Sequence, residues 1–254
     1  MCYNNHSKGG FFMLKLTYCA FEQLPCLIDS YELVRLLTPT VVVKMSYGMS
    51  KERIEGLSQK QIENFSFPLD FCEIAEQTFL YTMPKIEGQN LAMHHFNDLY
   101  HLSEIFEEAM ITLKESHRND VYPADIHEGN LIITNHNHIG MIDLDEAGFD
   151  DMAPIDHWWH KKYLKPIYDL SIDNFQKYRM INKFQLLHMF LSAIHTGICH
   201  LDYKQTTANL SYLEDDVYKY FTFLLSHPAS VTDNNYLEEA IYMLRKNKNI
   251  IYKE

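Results

Sequence analysis

The chain has 254 residues, 46% of them hydrophobic, which is enough for one large domain or a two-lobed unit with its own core. Its 34 acidic residues outnumber its 22 basic ones, and the net charge of −12 argues against a nucleic-acid-binding surface and suits a cationic partner. Five cysteines without a C-x-x-C pair point to free thiols in a reducing compartment, and no run of about 18 apolar residues offers a membrane span.

The first apolar stretch, Phe11 to Leu27, is interrupted by Lys15, Glu22 and Gln23, which argues against a signal peptide. Within residues 11–45 the runs FFMLKLTYCAF, YELVRLL and TVVVKM read as strands, with a turn at Thr38-Pro39 between the last two. Ser50 to Phe65 reads as a helix, with Ser50 as N-cap and apolar residues at 54, 57, 62 and 65. Thr78 to Met83 reads as a further strand followed by a turn at Gly88. From Phe96 to His117 the spacing predicts an amphipathic helix whose stripe carries Leu99, Leu102, Ile105, Phe106, Ala109, Ile111 and Leu113.

The most informative stretch is Val121 to Phe149. Two short apolar runs, Leu131 to Ile133 and Ile139 to Ile142, flank a polar tip from Thr134 to His138, the pattern of a hairpin. Asp125 and Asn130 stand just before the first strand, Asp143 and Asp145 just after the second. A hairpin brings its outer ends together, so these carboxylates and the amide are expected to converge. Oxygen donors without a thiolate suit a hard cation such as Mg²⁺. Farther on, Asp156-His157-Trp158-Trp159-His160 reads as aromatic core packing rather than a zinc site. Asn182 to His200 reads as a buried helix ending near Gly197, with more helices at Asn209–Ser226 and Tyr236–Lys246.

The order Asp125-x-x-x-x-Asn130, strand pair, apolar residue, Asp143 resembles the catalytic loop and metal-binding Asp of the protein-kinase-like superfamily. The match is to an atypical member. Tyr122-Pro123-Ala124-Asp125 replaces His-Arg-Asp, Asp143-Leu144-Asp145 replaces Asp-Phe-Gly, and Asp125-x-His127-x-Gly129-Asn130 is similar to aminoglycoside-phosphotransferase-like kinases. The segment Leu27 to Val34, in the place of a glycine-rich loop, has no glycine and carries Asp29 and Glu32; Gly9-Gly10 could serve only under a different strand order.

The resemblance implies a compact two-lobed α+β protein-kinase-like fold, with a small β-rich lobe over residues 1–83 and a larger helical lobe over 84–254. It implies ATP and Mg²⁺ as cofactors and transfer of the γ-phosphoryl group to a hydroxyl. Asp125 would accept the hydroxyl proton, while Asn130 and Asp143 would hold the metal. Lys44, at the end of Val41-Val42-Val43, would contact the nucleotide phosphates, and Glu55 at the edge of the following helix's apolar stripe would pair with it, while family spacing points nearer Glu63. Tyr81 to Lys85, Tyr81 and Met83 included, would form the hinge that holds the adenine through backbone groups. His117 would be structural, and Asn182 or Lys183 would stand where such kinases place an Asp that braces the loop. The leading expectation is an atypical Ser/Thr protein kinase in the cytoplasm or, alternatively, one translocated into a host cell. A small-molecule kinase, a pseudokinase scaffold and, more remotely, a His/Asp metal hydrolase are the other readings.

Overall fold

The computed structural model describes residues 16–27, 33–47, 49–156, 164–197, 199, 206–208, 210–230 and 236–246. Gly9, Gly10, Asp29, Glu32, His157, Trp158, Trp159 and His160 lie outside the described residues, as do 11–15 of the first apolar run. The fold is α+β and divides into two compact units: Met1–Gln61 with Ser66–Lys85, and Ile62–Phe65 with Ile86–Glu254.

The first unit is built on an antiparallel sheet of β1 (Val34–Thr38), β2 (Val41–Tyr47), β3 (Asp70–Ala75) and β4 (Thr78–Pro84), in the order β1-β2-β4-β3. Valines and aromatics dominate β2 and β4, whose inner positions are almost fully buried. The described part of the YCAF run is not a strand. Tyr18–Glu22 forms a short helix, α1, opened by Thr17, whose side chain accepts from the Ala20 amide. Leu16, Ala20, Phe21 and Leu24 recur at helical spacing, and they bury one face of α1 against Val43, Met45 and Leu80. That period decides against an extended chain.

Helix α2 (Lys51–Ser58) begins at the expected Ser50 cap, with Ile54 and Leu57 fully buried, but it stops well short of Phe65. Gly56 and Ser58 are weak helix formers, and the Gln59 amide closes the end onto Gly56 and Leu57. Asn64 takes φ 63°, a conformation asparagine tolerates, and Phe65, itself part of the second unit, leaves the helical stripe and bridges Met141 of the same unit.

In the second unit, β5 (Gly88–Asn90), β7 (Leu131–Thr134) and β8 (Ile139–Met141) form one small sheet, and β6 (Val121–Tyr122) pairs with β9 (Gly148–Phe149). The β7–β8 hairpin is the expected one, with register Leu131↔Met141 and Ile133↔Ile139. Gly88 starts β5 rather than making a turn. Helix α3 (Leu99–Arg118) is capped by Asp98, and Leu102, Ile105, Phe106, Ala109 and Leu113 form its buried stripe. Ile111 does not join them and is 56% exposed, because at ~100° per residue it lies well round the helix from Ala109.

After α4 (Lys165–Tyr168), α5 (Asn174–Thr196) starts earlier than Asn182, at an Asp173 cap, and ends at Gly197, whose φ of 68° is the left-handed C-cap glycine favours. Residues all round its later turns are buried, from Ile181 and Phe184 to Phe190 and Ile194, so α5 is the unit's central post. Helix α6 (Asp215–Ser226) begins later than Asn209, behind a short turn at Leu210–Tyr212, and α7 (Tyr236–Lys246) follows. The described cysteines, Cys19, Cys26, Cys72 and Cys199, are free thiols. No helix among the described residues is long and apolar enough to cross a membrane.

Candidate functional site

The loop from Tyr122 to Asn130 is pinned almost residue by residue. It enters through β6, which is paired to β9 at Tyr122↔Gly148, while the Ser116 hydroxyl donates to the Val121 carbonyl at 2.8 Å. Asn182, fully buried on α5, donates through Nδ2 to the Pro123 carbonyl at 2.9 Å, and its Oδ1 lies 3.1 Å from His117 Nε2. With Nδ2 committed as a donor, Oδ1 accepts, so the His117 proton sits on Nε2. The brace expected near Asn182 is therefore present, and its chemistry explains why the residue is an amide. The loop offers a carbonyl there, which a carboxylate could not bond.

His117 and Tyr122 stack at 5.5 Å, and burial holds the His117 imidazole down to about 4, so it is neutral at physiological pH. Arg179 donates to the Tyr122 hydroxyl at 3.0 Å and lies over its ring, a contact that no local pattern announces. Burial pushes the Tyr122 phenol up, with the Arg179 guanidinium working against that shift.

Beyond Pro123 the loop closes on itself. Asn130 Nδ2 donates to the Asp125 carbonyl at 3.1 Å, and the Asn130 amide donates to the His127 carbonyl at 2.9 Å. His127 Nδ1 accepts from the Gly129 amide at 3.0 Å, capping the short turn Glu128–Asn130. A Cβ at 129 would lie 2.7 Å from His127 Cε1, so any larger residue there forces that ring to shift. Asn90 Nδ2, unnoticed in the sequence, donates to the Gly129 carbonyl at 2.7 Å. His127 Nε2 faces Asp125 Oδ2 at 3.9 Å, with both side chains partly open to solvent.

The hairpin then brings the second half of the site alongside. The Ile142 amide donates to the Asn130 carbonyl at 3.0 Å, which places Asp143 one residue from Asn130 across the hairpin mouth. Asp143 is exposed and has φ 60°, while Leu144 and Asp145 on its C-terminal side are buried. Asp143 shares this conformation with Asn64, Gln77, Asp120, Asn137 and Asp150, and aspartate tolerates it as asparagine does. Asn130 Oδ1 and the Asp143 carboxylate are hard oxygen donors. Among the described residues no group of three or more His, Cys, Asp or Glu is placed to hold a metal ion.

The remaining expected residues belong to the first unit. Lys44 on β2 pairs with Tyr81 on β4, and Tyr81 also pairs with Phe71 on β3. Met83 pairs with Val42 and lies one residue beyond the last β3 pair, Asp70↔Thr82. The Lys85 amide donates to the Thr40 carbonyl at 2.9 Å. Glu55 is exposed on α2, with its carboxylate 3.5 Å from Lys51. No protein-family model matches the chain, and no curated protein matches it either.

Proposed function

We propose that the chain is a two-lobed, protein-kinase-like phosphotransferase that moves the γ-phosphoryl group of ATP, with Mg²⁺, to a hydroxyl. The observation that carries this reading is the pinned Asp125–Asn130 loop joined through Ile142 to a left-handed Asp143. Phosphoryl transfer needs positioning and charge stabilisation more than covalent chemistry, and a loop fixed at this many backbone groups supplies positioning.

Asp125 is the general base, receiving the acceptor's proton at its carboxylate. Asn130 Oδ1 and Asp143 are the metal ligands; Mg²⁺, when bound there, neutralises charge on the transferring group. Asn182 and His117 hold the loop's entry still; the sheet occupies the Tyr81 and Thr82 main chain on both sides and Thr40 takes the Lys85 amide, so Lys44 and the Met83 main chain are the first unit's candidates for contacting the nucleotide. The acceptor is a protein or small-molecule hydroxyl.

A thermal-shift series with ATP, with and without Mg²⁺, tests the reading. The parent should be stabilised by the nucleotide only when the metal is present, and Asp143→Asn should lose that stabilisation while melting at its own unliganded temperature as before. Equal stabilisation of the parent with and without Mg²⁺, or none, would refute the assignment. Transfer of ³²P from ATP to protein in the same preparation then separates a protein acceptor from a small one.

A further inference from the structure

We infer that His127 and Asp125 together form a seat for one acceptor oxygen, and that this seat selects hydroxyls over amines. The inference rests on the phosphotransfer reading above. His127 Nδ1 accepts the Gly129 amide at 3.0 Å, so the ring's proton is on Nε2. That nitrogen lies 3.9 Å from Asp125 Oδ2, too far for a direct hydrogen bond. Two groups 3.9 Å apart can, however, both reach a single oxygen at ~2.8 Å, subtending about 90° at it. Both side chains are accessible to such a guest, at 29% exposure for His127 and 23% for Asp125.

The seat asks for an atom that donates to Asp125 and accepts from His127. A hydroxyl oxygen does both and keeps a second lone pair for attack. A neutral amine has one lone pair; once it accepts from Nε2–H, nothing is left to attack phosphorus. A protonated amine has none to begin with. During transfer the hydroxyl oxygen bonds the γ-phosphorus and its proton passes to Asp125. The bond from that phosphorus to the bridging oxygen breaks, and ADP leaves with the electron pair. His127 keeps its proton throughout and fixes which lone pair faces the phosphorus.

Two substitutions separate this role from simple capping. His127→Asn keeps an acceptor for the Gly129 amide but removes the Nε2–H donor. His127→Gln supplies an amide N–H near the Nε2 position and gives up the cap. The assay is Mg²⁺-dependent ATP hydrolysis, with water as the seated hydroxyl, alongside nucleotide affinity and a melting curve for each variant. His127→Asn should bind ATP as the parent does and hydrolyse it at least ~10-fold more slowly, while His127→Gln recovers part of the rate. A capping role alone gives the reverse order, with the Asn variant active and the Gln variant impaired, and would overturn the inference.

Histidine ¹⁵N NMR of the parent without nucleotide gives a second readout that needs no turnover. The His127 ring should show a protonated Nε2 and a bare Nδ1; the opposite tautomer removes the seat. A parent that neither binds nor hydrolyses Mg²⁺–ATP refutes the phosphotransfer reading itself. An active parent with a parental-rate His127→Asn refutes only the seat.

Discussion

Asn182→Asp exchanges one nitrogen for an oxygen at nearly constant volume, yet it should be among the more damaging single changes in the second unit. The wild-type amide donates to the Pro123 carbonyl at 2.9 Å and accepts from His117 at 3.1 Å, with the residue 0% exposed. A carboxylate keeps the His117 bond but turns an oxygen towards the Pro123 carbonyl, which then has no donor. An orphaned buried acceptor costs about 1–3 kcal/mol, and taking a carboxylate out of water adds to that. A net loss of roughly 3 kcal/mol is a large part of the 5–15 kcal/mol typical of a folded chain. With a urea slope of about 1–3 kcal/mol per molar, the midpoint should fall by roughly 1–3 M. Asn182→Ala loses both bonds and leaves a small cavity, so it should be at least as unstable. Urea unfolding of the three proteins at pH 7, followed by far-UV circular dichroism, is the assay. An Asp variant within about 0.5 kcal/mol of the parent, at unchanged slope, would mean that residue 182 does not donate to the loop.

His117 should make the fold acid-sensitive. Its folded pKa of about 4 lies below the ordinary 6.5, so the unfolded chain takes up the proton first as pH falls. The His117 contribution is complete above pH 6.5 and is lost towards pH 4, up to about 3 kcal/mol, so His117→Gln should flatten the stability profile across that window. Parallel profiles for parent and variant would contradict this. Gly129→Ala should preserve the fold but push the His127 ring off its cap, since the new Cβ would lie 2.7 Å from Cε1. A Gly129→Ala protein whose His127 ring keeps the parent's ¹⁵N spectrum would show that the fit is looser than described. On α3, Ile105→Ala should cost about 2–4 kcal/mol and Ile111→Lys less than ~0.5, a contrast that thermal melts of the pair would test.

The hairpin and its flanking Asp and Asn residues could be read from the sequence because every cue is local. Short β-branched and leucine runs, a polar tip and the positions of Asp125, Asn130 and Asp143 all lie within one stretch. Helix α3 was legible for the same reason, except at Ile111, where an apolar side chain faces solvent. Helix α1 was hidden because a short, nearly continuous apolar run fits a strand as well as a helix, and only the burial of Leu16, Phe21 and Leu24 on one side separates them. The bonds that hold the loop were the least legible. Asn90, Arg179 and Asn182 reach Gly129, Tyr122 and Pro123 across long stretches of chain, and nothing in a residue's neighbours encodes such a partner. Asn182 was anticipated only as a place, not as a donor to a carbonyl.

In the proposed reaction Asp125 serves the acceptor and Asp143 the metal, and one experiment addresses both. Isothermal titration with ATP and Mg²⁺, paired with turnover on the same preparations, should be run on the parent, Asp125→Ala and Asp143→Asn. Asp125→Ala should bind Mg²⁺–ATP as tightly as the parent while its turnover falls by ~10²–10⁴-fold, the usual worth of a general base. Asp143→Asn should lose the Mg²⁺-dependent part of the affinity. An Asp125→Ala protein with weakened binding and a normal maximal rate would instead place Asp125 in the metal site and contradict the account.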